Sequence, residues 1–324
     1  MNKKLNLVAD IGGTNIRLAL TDTSNNITNI ETFQCAKFKS LFEVINQYLT
    51  EKEMHGTYAN ACLAIAAPVD HDIISMTNLP WKISQKQLKE QLELNSLYFI
   101  NDFSAIAMAI PFLNEEQKQQ IGNCEPTVGK AISVCGPGTG LGVATLIAVK
   151  DKWHCLSGEG GHSDFAPVDE LEMKILHYLQ TIKKRVSYEQ LLSGYGLEQI
   201  YQALIATKNH QNNTNALVEH LAAEDISSRA IDESCSVCYQ SLSIFCRVLG
   251  SFAGNLALTM NSLGGVYIAG GIVPKFIEFI EQSDFRLRFE AKGRLSTLTK
   301  QAPTYIIKEK QPGLLGASAY LNQI

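Results

Sequence analysis

Two glycine-rich turns and a strand-end carboxylate carry most of the chemistry this sequence offers. Asp10-Ile11-Gly12-Gly13-Thr14-Asn15-Ile16-Arg17 ends an apolar run on a carboxylate, then turns through two glycines and two small polar residues. Missing Cβ atoms let a polyanion approach the backbone amides, and Thr14 adds a hydroxyl donor. Asp10 is placed to hold a Mg²⁺ hydration shell, because hard carboxylate oxygens suit that ion. A tight hairpin capped by an Asp would use the same residues. The second turn, Gly136-Pro137-Gly138-Thr139-Gly140-Leu141-Gly142, puts four glycines in seven positions between two strand patterns. Thr139 is again a donor of phosphate-binding size. The pattern is not GxxxxGK[ST], so it is not a P-loop. A strand pattern follows it rather than a helix, and the glycine spacing differs from a dinucleotide-binding GxGxxG.

Asn101-Asp102 closes a short strand and opens a helix. Asp102 reads as an N-cap or as a general base that orients an alcohol for attack. Phosphoryl transfer asks for an aligned nucleophile and neutralised charge, so one carboxylate in reach suffices. Gly158-Glu159-Gly160-Gly161-His162 sets a carboxylate and an imidazole three residues apart on a glycine-rich loop. Such planar polar groups pair with vicinal hydroxyls, and a metal-site reading lacks further His or Cys nearby. Glu189 reads as a favourable first-turn charge. Gly270-Gly271 and the Gly313 to Gly316 turn offer close backbone surfaces for a flat ring, or simply helix-packing glycines.

These residues need a scaffold. Apolar runs predict strands at Leu5–Ile11, Ile16–Thr21, Ile27–Cys35, Ala61–Ala67 and Leu97–Ile100. Ser40 is the expected N-cap of a helix through Glu53, with Leu41, Val44, Ile45, Tyr48 and Leu49 on one face. Ser84 caps a short helix to about Leu92, and Asp102–Ile110 is helical. A second strand set covers Ala131–Cys135, Val143–Lys150 and Trp153–Leu156. Residues 169–262 turn mostly helical, with the longest pattern at Ile231–Leu258, and Asn209–Asn215 reads as a polar loop. Strands at Val266–Ala269 and Tyr305–Lys308 and a helix at Leu314–Leu321 complete the chain. The order predicts an α/β protein of two domains with a boundary near Pro111–Gly122.

Composition narrows the partners. The 324 residues carry a net charge of −4 with no basic stripe, which excludes a nucleic-acid or anionic-membrane surface as the expectation. Asn6 and Asp10 break the N-terminal apolar run too early for a signal peptide, and no uninterrupted apolar span crosses a bilayer. The expected location is the cytoplasm, with the eight cysteines as free thiols. Cys235-Ser-Val-Cys238, the one CxxC, reads as two thiols on a helix, since no second CxxC or histidine pair accompanies it.

Taken together, DIGGTNIRLAL, FINDFSAIAMAIP, GTGLG, GEGGHSDFAP, LLSGYGL, IAGGIVP and PGLLGA resemble the bacterial glucokinase family, within the hexokinase and actin-like ATPase superfamily, over essentially the whole chain. The resemblance implies a two-lobed actin-like ATPase fold of the ribonuclease H kind, with mixed sheets, flanking helices and a helical insertion in the larger lobe. The implied small domain is residues 1–112 plus 303–324, and the large one 113–302. It implies ATP-dependent phosphorylation of glucose at its 6-hydroxyl, with lobe closure excluding water. Asp10, Gly12, Gly13, Thr14 and Asn15 would form the first phosphate loop, with Asp10 toward Mg²⁺ through water. Gly138, Thr139 and Gly140 would form the second, and Gly270, Gly271, Gly313 and Gly316 would flank the adenosine. Asp102 would be the base, and Asn101, Glu159, His162 and Glu189 would bind the other hydroxyls. Homodimers are common among such proteins. The related ROK kinases and repressors carry a cysteine-rich zinc motif after their Gly-His dipeptide; here Ser163-Asp164-Phe165-Ala166-Pro167 follows His162, which disfavours that assignment. The rival expectations are a kinase for another hexose, a sugar sensor without transfer activity, and an actin-like ATPase without a sugar.

Overall fold

The computed structural model describes residues 5–53, 56, 58–76, 79–211 and 220–324. They form two compact units. One comprises Met1–Asn114, Ala148–Ser157 and Glu309–Ile324; the other comprises Glu115–Ile147 and Gly158–Lys308.

In the first unit, β1 (Leu5–Ile11), β2 (Asn15–Thr21) and β3 (Ile27–Gln34) form a meander. Helix α1 (Leu41–Glu51) follows, then β4 (Tyr58–Ile65), the small hairpin β5 (Ile73–Ser75) and β6 (Lys82–Ser84), α2 (Gln85–Gln91), β7 (Ser96–Asn101) and α3 (Asp102–Ala109). The sheet order is β3-β2-β1-β4-β7, with β1, β4 and β7 parallel. Such strands are covered on both faces, so they read as unbroken apolar runs. Leu7, Ala9 and Ile11 pack with the α1 stripe Leu41, Val44, Ile45, Tyr48 and Leu49. Val8, Ala19, Cys62 and Ala64 lie in a second cluster with Ala105, Leu314 and Ala317. Ser40 caps α1 by accepting from the Glu43 N–H, and Ser84 caps α2 by accepting from Gln87.

In the second unit, β8 (Lys118–Ile121), β9 (Ile132–Pro137) and β10 (Leu141–Val149) come first. Strand β11 (Lys152–Gly158) follows, and residues 148–157 belong to the first unit, where the Trp153 N–H donates to Gln323 Oε1 at 2.6 Å. A helical stretch supplies α4 (Glu170–Ile182), α5 (Gly194–Gln211), α6 (Ala223–Ile231) and α7 (Ser236–Met260). Then come β12 (Gly265–Ile268), α8 (Ile277–Gln282), α9 (Phe285–Glu290), α10 (Ser296–Lys300) and β13 (Thr304–Ile307). The sheet runs β10-β9-β12-β13-β8, with β9, β12 and β13 parallel. Helix α7 is apolar and long enough to cross a membrane, but Leu242, Phe245, Val248, Leu249 and Phe252 are buried in this unit's core. The chain ends in α11 (Pro312–Leu321), which belongs to the first unit.

Four expectations need correction. Strand Thr304–Ile307 pairs with β12 and β8 in the second unit rather than joining residues 309–324 in the first. The pattern at Ile231–Leu258 is two helices, because residues 232–235 break it and α7 starts afresh with Cys235 as its cap. The polar segment 209–215 begins as helix, since α5 runs to Gln211; positions 212–215 lie outside the described residues. Asp102 is not an N-cap. That position belongs to Asn101, whose Oδ1 accepts from the N–H groups of Phe103 and Ser104.

Candidate active site

In the first unit the strand register gathers the chemistry at one sheet edge. Ile11 of β1 pairs with Ile65 of β4, and Ile65 with Asn101 of β7. The glycine turn after β1 and the Asn101-Asp102 step after β7 therefore leave the sheet at the same level. They are two strands apart, roughly 10 Å at the usual spacing. The carboxyl ends of parallel strands are where α/β sheets bind ligands.

The turn Gly12–Asn15 is rigidly framed. The Gly12 N–H donates to Asn15 O at 3.0 Å, and Cys35 donates from its N–H to Thr14 O at 2.9 Å. The Cys35 thiol reaches Gly12 O at 3.6 Å. Thr14 and Asn15 project into solvent, while Asp10 is half-buried. Cross-strand register places Arg17 opposite Asp10, and its guanidinium donates to Asp10 Oδ2 at 3.1 Å. Burial raises the Asp10 pKa above its usual value, and Arg17 partly offsets that rise. A Cβ on Gly313 would sit 2.9 Å from the Asp10 carboxyl carbon, so the first turn of α11 lies directly against that carboxylate. Gly313 therefore lies beside Asp10 within the first unit. Gly316 faces inward; a Cβ there would collide with Ala105 O, so the α3–α11 crossing accounts for it. Asp102 Oδ1 accepts from the Phe103 N–H at 3.0 Å.

In the second unit Pro137 pairs with Leu141, leaving Gly138-Thr139-Gly140 as a three-residue turn. The Gly138 N–H donates to Gly140 O at 2.8 Å. Pro137 is the last residue of β9, and its carbonyl is the surface on which Gly270 packs. Gly270 has φ +87° and no room for a Cβ, which would lie 2.3 Å from Pro137 O; Gly271 faces open space. The two glycine segments are neighbours because β9 and β12 are adjacent and parallel.

Glu189 clamps this second turn. Its Oε2 accepts from the Leu141 N–H at 2.9 Å, and a Cβ on Gly140 would lie 2.5 Å from the same oxygen. His162 Nδ1 is 3.8 Å from Glu189 Oε1. These two meet because Tyr188 N–H donates to Ser163 O and Phe165 N–H to Val186 O, zipping 163–165 onto 186–188. Gly161 is required there, since its Cβ would strike Leu141 O. Glu159, just before this turn, is exposed. Behind Glu189, the Tyr188 hydroxyl accepts from Asn255 Nδ2 at 3.3 Å, and Lys292 Nζ donates to Asn255 Oδ1 at 2.8 Å.

Ser193 and Gly194 were given no role by sequence. The Gly194 N–H donates to Gly138 O at 3.0 Å, so the start of α5 abuts the second turn. Ser193 Oγ accepts from the Gly196 N–H at 3.0 Å, the N-cap arrangement. A Ser three residues ahead of a capped N–H was the available signal. Gly194 and Gly196 in the first turn obscured it, since glycine weakens the helix pattern.

The family model described as Glucokinase matches residues 7–324. A glucokinase of Colwellia psychrerythraea is 63% identical over 320 residues, covering 99% of this chain and 97% of that protein. The crystal structure of a glucokinase from an Antarctic psychrotroph superposes with a TM-score of 0.89 at 38% identity, covering 99% of each chain. The glucokinase of Balamuthia mandrillaris, solved in complex with glucose, has a TM-score of 0.75 at 20% identity over 99% of this chain and 94% of its own, which speaks to the fold alone.

Proposed function

This chain belongs to the glucokinase family and has its mixed α/β, actin-like ATPase fold; from that premise we propose how its residues perform the reaction. The activity is ATP-dependent phosphorylation of glucose. In our reading Asp102 takes the proton of the 6-hydroxyl as its oxygen attacks the γ-phosphorus and ADP leaves. The observation that carries this is the register that brings Asn101-Asp102 and the Gly12–Asn15 turn out at one level of one sheet edge.

Asn101, Glu159, His162 and Glu189 are the proposed partners of the remaining sugar hydroxyls. Gly12, Gly13, Thr14 and Asn15 in one unit and Gly138, Thr139 and Gly140 in the other are the proposed phosphate contacts, with Gly270 and Gly271 toward the adenosine. Asp10 suits Mg²⁺ held through water: it is an oxygen donor at a strand end, with Oδ2 already taken by Arg17. When bound, that ion would neutralise charge on the phosphates. The eight free cysteines support a cytoplasmic location, and we propose a homodimer on family grounds.

A coupled assay of ADP release over glucose, mannose, fructose and glucosamine tests the reading. Glucose should raise turnover far above the sugar-free rate. Equal ADP release with and without any hexose would sink the assignment of Asp102 as an alcohol-directed base.

A further inference from the structure

Cysteine is an unusual helix cap, yet Cys235 caps α7, the longest helix described. Its Sγ accepts from the Cys238 N–H at 3.3 Å. A second thiol occupies the same site. Cys238 lies one turn on, on the same face, and its own backbone N–H is the donor that Cys235 Sγ holds. The pair differs in access: Cys235 is half-exposed between the exposed residues Ser234 and Ser236, while Cys238 is fully buried. Among the described residues no group of three or more potential metal ligands forms, so the pair has no third donor to complete a metal site. The other six cysteines are separated in sequence: Cys35, Cys62, Cys135 and Cys246 are buried, and Cys124 and Cys155 are half-buried.

We propose that Cys235 and Cys238 form a dithiol–disulfide redox site, with Cys235 as the attacking thiolate and Cys238 as the resolving thiol, acting on a low-molecular-weight disulfide. The proposal is independent of the kinase reading. Electrostatics supports the division of labour. Burial works against ionisation of Cys235, but the Cys238 thiol, the N–H groups of Cys238 and Val237 and the Arg229 charge outweigh it and hold the thiol below its ordinary value. Burial, then the hydrogen bond and charge of Cys235, push Cys238 up to about 12. Thiolates at helix N-termini are the reactive form of cysteine.

The step balances without any further reagent. Cys235 thiolate attacks one sulfur of the disulfide, its S–S bond breaks, and one thiol departs with a proton. Cys238 then attacks Cys235 Sγ as its own proton leaves, and the second thiol is released. Two cysteine thiols are oxidised to one disulfide, and one external disulfide is reduced to two thiols.

The reduced full-length protein is exposed to glutathione disulfide under native conditions. Free thiols are then alkylated in denaturant, and the tryptic fragment that follows Arg229 is weighed. That fragment holds Cys235, Cys238 and Cys246. The expected wild-type product carries one alkyl group, on Cys246, and lacks two hydrogens. Cys238→Ser should trap glutathione on Cys235, and native Cys235 should take iodoacetamide about tenfold faster than Cys124 or Cys155. Cys235→Ser should give neither product while folding normally, since Ser is a favoured cap. Three alkyl groups on the wild-type fragment, or a glutathione adduct in Cys238→Ser that falls on Cys124 or Cys155 instead, would overturn the proposal.

Discussion

The turn at Gly12–Asn15 and the turn at Gly138–Gly140 look alike in sequence but are held by different means. The first is fixed by main-chain bonds: Gly12 to Asn15, Cys35 to Thr14, and the thiol of buried Cys35 against Gly12 O. Across the hairpin lies the Asp10–Arg17 pair, an ion pair within the sheet register. The second also has main-chain bonds, Gly138 to Gly140 and Gly194 to Gly138, but adds a charged side chain from elsewhere in its unit, Glu189, and the close approach of Gly270 to Pro137. A sheet-framed turn keeps its shape whatever happens to the sugar ligands. A side-chain-clamped turn does not, so the proposed sugar ligand Glu189 also shapes the proposed phosphate turn.

The largest expected effect falls on Asp102. Asp102→Asn keeps the size of the side chain and should lower kcat by roughly 10²–10⁴, with glucose affinity nearly unchanged. Stopped-flow or coupled kinetics with a separate glucose titration reads both quantities. Wild-type turnover in that variant would remove Asp102 from the chemistry.

Next in size come matched glycine substitutions. A Cβ at Gly140 would lie 2.5 Å from Glu189 Oε2, whereas one at Gly12 would lie 3.4 Å from Asn15 O, an ordinary contact. Gly140→Ala should therefore displace Glu189, cost about 1–3 kcal/mol, and raise KM for both substrates. Gly12→Ala should stay within about 1 kcal/mol of wild type. Equal midpoints in urea for the two variants would erase the distinction between the turns.

A smaller effect separates the two jobs of Glu189. Glu189→Ala leaves the Leu141 N–H without its acceptor and should raise KM for ATP and for glucose about tenfold, equivalent to ~1.4 kcal/mol. Glu189→Gln retains a carbonyl oxygen for that N–H and should recover the ATP value while glucose stays impaired. A variant that spares ATP even as alanine would show that the clamp is dispensable.

The sequence made the first unit easy to read because β1, β2 and β4 are buried over most of their length and two helices begin at Ser40 and Ser84 with ordinary caps. The second unit hid more. Strand Lys118–Ile121 reads Lys-Gln-Gln-Ile, too polar to signal a strand, and it exists because β13 offers it an antiparallel partner. Cys235 is not a cap that composition advertises, so the helical pattern reads back to Ile231, past the true start of α7 at Ser236. At the site, residue types marked Asp10, Asp102 and both glycine turns as candidates. What sequence lacked was the pairing of partners distant along the chain: Glu189 with Leu141, Gly194 with Gly138, and Gly313 with Asp10. Such contacts follow from strand order and helix crossings, which no local pattern encodes.

The support behind the clamp yields the smallest expected effect, one of stability rather than turnover. Lys292 lies against Gly254, where a Cβ would meet its Cε at 2.6 Å, and it donates to Ser251 O and Asn255 Oδ1. Burial, then the nearby Arg288 charge, lowers its pKa to about 8. Below that pH the folded chain carries a charge it holds at a cost. Between about 8 and the ordinary lysine value of 10.5, the folded lysine is neutral while the unfolded one stays protonated. The unfolded state then binds more protons, so stability from this group rises with pH through that window. Neutral lysine still donates both hydrogen bonds, so the Asn255–Tyr188 support behind Glu189 persists. Urea midpoints measured from pH 7 to 10 should climb more in wild type than in Lys292→Met, which has no charge to lose. Parallel profiles for the two proteins would mean that Lys292 ionises as it does in water.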